Sequence, residues 1–148
     1  MIAPLAALVG LWEVGWWYKR CLDRNDLYRR ARAHADEIRK PLLVVGAPDR
    51  GPTPSPCGDI VLDIGPSSAP VAVQADVTRR IPLPDDSVVA YVCCVLEYVE
   101  NLESALQELR RVARDRVYIV RVQPWTLTGT LYPGARRSLA HATGNRRA

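Results

Sequence analysis

A chain of 148 residues that is 48% hydrophobic and 24% charged suits one folded domain with an appendage and excludes wholesale disorder. The net charge is +4, but it sits at the ends: residues 19–40 hold eight Lys/Arg against four Asp/Glu, residues 123–148 hold four Arg and no acid, and residues 41–122 hold eight basic against eleven acidic groups. A mildly acidic body between basic flanks argues against nucleic acid as a partner and fits an anionic membrane surface.

The first element is an apolar run, Ile2 to Tyr18, whose one charged residue is Glu13. As a helix it would be roughly 26 Å long, against about 30 Å for a bilayer core. Trp16, Trp17 and Tyr18 would form an interfacial belt, with Lys19 and Arg20 directly after them. Residues 1–20 are therefore expected to be a single-pass membrane anchor, with the body on the cytoplasmic side. Glu13 opposes this, at about 2.5–3.5 kcal/mol for a mid-bilayer carboxylate. The alternative is a helix that docks on a protein partner or self-associates.

Residues 21–40 form a basic amphipathic helix, with Leu27, Ala31, Ala35 and Ile38 as one narrow apolar stripe. Pro41–Gly46 is a short apolar run that suits a central strand. Ala47–Gly58 holds four prolines and two glycines and reads as loop. Asp59–Ile64 and Val71–Ala75 are strand candidates whose link, Gly65–Pro70, is too short for a helix. Val88–Val95 is another apolar strand. Asn101–Ala113 is the clearest helix, with Asn101 as its N-cap. Val117–Val122 is the last strand of a body spanning residues 41–122, and residues 123–148 are a basic tail.

A strand, a helix and a strand across Val88–Val122 imply a parallel crossover. The fold class is α/β, a reduced Rossmann-like sheet of about five strands behind an N-terminal hydrophobic helix. In such sheets ligands bind beyond the carboxyl ends of the strands. Gly46, Asp63, Asp76 and the stretch from Cys94 to Tyr98 fall there.

Gly46 at one strand end is followed 17 residues later by Asp63 at the next, a spacing that suits close backbone approach to a nucleoside and a carboxylate for its ribose. A third strand runs into Ala75-Asp76. The order continues with I-P-L-P-D-D-S (Ile81–Ser87), V-L-E-Y-V-E-N (Val95–Asn101) and A-L-Q-E-L-R-R-V (Ala105–Val112). This order resembles the class I S-adenosylmethionine-dependent methyltransferases, from about Pro41 to Val122. The resemblance implies S-adenosylmethionine as cofactor, with Gly46 and Gly51 in its glycine loop, Asp63 on the ribose and Asp76 on the adenine.

The pattern also departs from that family. Val44 stands where its first acid is usual, and Pro48, which has no N–H to donate, replaces its second glycine. Tyr98 stands where histidine is common. These departures point to a degenerate module that works mainly in interaction or assembly, with cofactor binding weak or lost. An active methyltransferase and a structural protein docked through its first helix are the alternatives.

Several residues have plainer readings. Asp63 could cap a strand end before Gly65-Pro66, and Asp76 could be a surface acid. Asp85 and Asp86 read as a turn, Glu97 as a solvated loop acid more often than a general base, and Trp125 as a packing lid. Cys93 and Cys94 would point to opposite faces of a strand as small buried hydrophobes. The four cysteines include no C-x-x-C pair, and Cys21, Cys57, Cys93 and Cys94 lie far in sequence from His34 and His141. No metal site is expected, and the thiols read as free.

Overall fold

The computed structural model describes residues 2–46, 58–67 and 69–121. The elements are α1 (Ile2–Glu37), β1 (Leu42–Val45), β2 (Ile60–Asp63), β3 (Ala72–Gln74), β4 (Val89–Cys93), α2 (Leu102–Val112) and β5 (Val117–Val120). The strands form one parallel sheet in the order β3-β2-β1-β4-β5. This is the expected reduced Rossmann-like sheet. β3 follows β2 in parallel after only Ile64–Val71, a return made short by the three-residue length of β3.

Strand alternation divides the core in two. Leu43 and Val45 of β1, Leu62 of β2, and Ala90 and Val92 of β4 meet Ala105, Leu109 and Val112 of α2. Leu42 and Val44, Val61, Val89 and Tyr91, with Tyr118 and Val120, meet Ala31 and Ala35 of α1. Both faces of β1 and β4 are thus covered, which is why these strands read as unbroken apolar runs. Leu27 and Ile38 pack at the margin of the α1 face, completing the narrow stripe. The Asn101 side chain accepts from the Ser104 N–H at 3.0 Å and caps α2.

The two N-terminal segments expected from the sequence fall within one helix. Its second half lies on the sheet. Its first half carries Leu8, Leu11, Trp12, Val14 and Tyr18, each more than half exposed. No helix among the described residues is long and apolar enough to cross a membrane. The single-pass anchor expected from the sequence is therefore not supported. The apolar run is too short, and Glu13, two glycines and the polar-edged aromatics dilute it before Lys19 and Arg20 end it. Gly51, Pro48, Cys57, Trp125 and the tail 123–148 lie outside the described residues.

Candidate functional site

The carboxyl ends of β1, β2, β3 and β4 open onto a cavity of about 780 Å³, a size typical of small-molecule sites. β1 delivers Gly46, which has φ +100 and donates its N–H to the Leu62 carbonyl at 2.9 Å. A Cβ there would meet Val95 Cγ2 at 2.6 Å and the Cys93 carbonyl at 3.2 Å. Only glycine both adopts this backbone and lets the β1 and β4 ends approach.

β2 delivers Asp63 to the cavity wall. Its Oδ1 accepts from the Gly65 N–H at 2.9 Å. Asp63 is therefore both the turn cap and a cavity residue, and the two sequence readings are compatible. Asp76 lies just beyond β3. Its Oδ1 accepts from the Thr78 N–H at 2.8 Å and the Thr78 hydroxyl at 2.7 Å. The Thr78 N–H and then its hydroxyl hold the Asp76 carboxyl below the usual carboxylate range. It stays ionised, and its orientation is fixed by the turn.

β4 ends in Cys93, and Cys94 follows with φ +53. A left-handed residue breaks the pleat. Both cysteines consequently line the same cavity. The expectation that they face opposite sides is corrected: alternation stops at Cys93. The two neighbouring thiols shift each other, Cys93 downward and Cys94, with burial, upward. Burial likewise raises Tyr91, whose hydroxyl donates to the Arg24 carbonyl at 3.1 Å.

In the segment after β4, Val95 and Tyr98 reach the cavity, while Leu96 and Glu97 turn inward. Glu97 is only 4% exposed, so it is no solvated loop acid. Asp85 and Asp86 belong to a turn, as expected. Asp85 pairs with Arg111 and Asp86 with Lys40, both away from the cavity.

Sequence reasoning missed Arg24, which α1 brings to the cavity wall from far along the chain. Only packing could reveal it, since Arg24 is one of many charges on that helix. It also missed Thr78, whose signal was available: an acid two residues before threonine is a common local hydrogen-bonding turn.

Residues 59–120 match the family model of a methyltransferase domain. Over this span the α/β body is methyltransferase-like. No curated protein and no solved structure matches the chain. The matched span runs from the start of β2 to the end of β5 and includes Asp63, Asp76 and the whole segment after β4, while Gly46 precedes it.

The residues around the cavity of this methyltransferase-like domain fit the nucleoside part of the cofactor that the family implies. Carboxylates on the wall can accept from ribose hydroxyls and an adenine amine. Ile64, Val77, Val95 and Val99 supply apolar wall for a base. The fit is poorer toward the methionine end, because the Gly46 N–H is already bonded to Leu62. The cation there is Arg24.

Proposed function

We propose that the cavity at the strand ends binds the nucleoside of S-adenosylmethionine or its demethylated product. The observation that supports this reading is that Gly46, Asp63 and Asp76, from three successive strand ends, share one cavity. When bound, the cofactor would supply an activated methyl group. Asp63 would use Oδ2 for the ribose, since Oδ1 holds the Gly65 turn. Asp76 would receive the adenine amine, and Arg24 the amino-acid carboxylate. Any transfer would then rest on positioning. Methyl transfer itself is the less supported part of the reading, because the acid nearest the end of β4, Glu97, is turned into the body.

Calorimetric titration with S-adenosylhomocysteine tests the site. Asp63→Asn keeps an acceptor for Gly65 and removes the charge, so it should weaken binding by about tenfold to a hundredfold, the worth of a hydrogen bond to an ionised group. Equal affinity in wild type and variant rejects Asp63 as the ribose residue. Absence of binding in the wild type rejects the nucleoside reading.

A second reading, which concerns the first half of α1, is assembly. Leu8, Val9, Leu11, Trp12, Val14, Trp17 and Tyr18 are exposed on all sides of the helix. A helix that is apolar all round is stable when enclosed. We infer that several copies of this arm pack into a helical bundle. Wild type should scatter light as an oligomer, and a Leu8→Gln, Leu11→Gln, Val14→Gln variant as a monomer of unchanged helical content. A monomeric wild type at micromolar concentration contradicts the assembly.

A further inference from the structure

The nucleoside reading leaves a second opening of the body without a role. Between α1 and the end of β5 lies a groove of about 290 Å³, walled by Arg20, Asp23, Asp26, Leu27, Arg30 and Arg121. One hydrogen bond, from the Cys94 N–H to the Val120 carbonyl at 3.0 Å, marks its border with the cavity. Cys94 lines the cavity and Val120 the groove. The helix α1 serves both openings. Arg20 and Arg24 are four residues apart and so on one side of the helix; Arg24 stands at the cavity and Arg20 at the groove.

The charges of the groove divide into those already paired and those available. The Asp23 carboxylate pairs with Lys19 at 2.5 Å, and that of Asp26 with Arg30 at 2.8 Å. Arg20 and Arg121 have no carboxylate within ion-pair distance among the described residues. Leu27, Ile119 and Val120 add apolar wall beside them, where a charge pair is screened less than in open water. We propose that this groove is an anion site, in which Arg20 and Arg121 hold the carboxylate or phosphate of a small second ligand beside the nucleoside cavity.

Charge sorts the two ligands between the two openings. In the cavity Asp63, Asp76 and Glu100 outnumber Arg24, so an anionic head group is repelled from that wall. In the groove both carboxylates are matched by their own cations, which leaves the surplus positive. Guanidinium groups suit a carboxylate or a phosphate because their planar N–H forks can donate two parallel bonds. A groove of about 290 Å³ is at the small end of ligand sites. It takes a head group with a few further atoms and excludes a whole nucleotide. A head group held there lies next to Cys94, at the edge of the space proposed for the nucleoside.

That the anion is a second ligand rests on the nucleoside reading, whereas the anion site does not. Full-length protein is treated with hydroxyphenylglyoxal, an arginine reagent, with and without inorganic phosphate or glutarate at constant ionic strength, and the adducts are mapped by mass. The anion should slow the reaction several-fold at Arg20 and Arg121 and saturate, while Arg110 and Arg114 of the α2 side react as before. The more protective anion identifies the head group. In calorimetric titration with that anion, Arg20→Gln and Arg121→Gln should each weaken binding by about tenfold, the lower worth of a hydrogen bond to a charged group. Arg110→Gln should bind as wild type does. Equal protection at every arginine, protection that never saturates, or undiminished affinity in both groove variants overturns the anion site. Protection by a long polyanion such as heparin, but by neither small anion, overturns the small ligand. S-adenosylhomocysteine and the anion should bind together. Displacement of the anion by S-adenosylhomocysteine overturns the claim of a second ligand. If the protein does not bind S-adenosylhomocysteine at all, the nucleoside reading fails while the anion site is still judged by the protection of its two arginines.

Discussion

The two edges of the sheet use the same kinds of residue for opposite ends. At the amino edge, polar groups are consumed in holding elements together. Asp59 Oδ2 accepts from the Leu42 N–H at 2.8 Å and from Arg32 at 2.7 Å, tying β2 to β1 and α1. Lys40 bridges Asp86 and Asp115. Arg111 donates to the Ile81 and Leu83 carbonyls and pairs with Glu108 and Asp85. At the carboxyl edge, Asp63 and Asp76 each engage one oxygen in a local turn and still border a cavity. An acid at a strand start here is structural; an acid at a strand end keeps capacity for a ligand.

The largest effect that would test this division comes from Arg111. Its guanidinium fastens the Ile81–Ser87 segment to α2, and Glu108 adds a bond from its carboxylate to the Ile81 N–H at 3.0 Å. Arg111→Ala strands two carbonyls and a largely buried carboxylate. The expected loss is about 3 kcal/mol in urea unfolding, with S-adenosylhomocysteine affinity unchanged wherever the protein remains folded. A variant that keeps its stability but loses nucleoside binding would break the comparison.

Much of the sheet was legible because its signals are local. Unbroken apolar runs gave β1 and β4, turn residues bounded the strands, and the α2 stripe with Asn101 gave a capped helix. Gly46, Asp63 and Asp76 could be assigned to one edge because strand ends in a parallel sheet converge there. What escaped depends on departures from regularity or on distance along the chain. The Cys93–Cys94 pair follows from a single left-handed residue, which periodicity cannot show. Arg24 reaches the cavity through the packing of Ala31 and Ala35 on the opposite face of the sheet from α2. The N-terminal run misled because its aromatics and flanking cations imitate a membrane span, while Glu13 and the glycines lower its hydropathy. Glu97 misled because a charged residue in a loop is usually solvated, whereas the segment after β4 turns this one into the body.

The smaller test concerns Asp59 and depends on pH. Its carboxyl is held below the usual range, first by the Leu42 N–H and then by Arg32. A carboxyl with a depressed folded pKa adds stability at pH above its unfolded value, about 3.8, and loses it as pH falls through the folded value. Asp59→Asn keeps an acceptor for Leu42 and removes the ion pair. The variant should therefore be less stable than wild type near neutral pH, and the two should converge as pH falls below about 4. Because the Asp59 side chain is 47% exposed, solvent screens the pair and the neutral-pH gap should be only about 0.5–1 kcal/mol. Urea unfolding of both proteins across that range measures it. A gap that persists undiminished in acid would assign the loss to altered geometry at Leu42 and not to charge. A weakened affinity for S-adenosylhomocysteine at neutral pH would show that the amino edge is coupled to the cavity, and the separation of the two edges would then no longer hold.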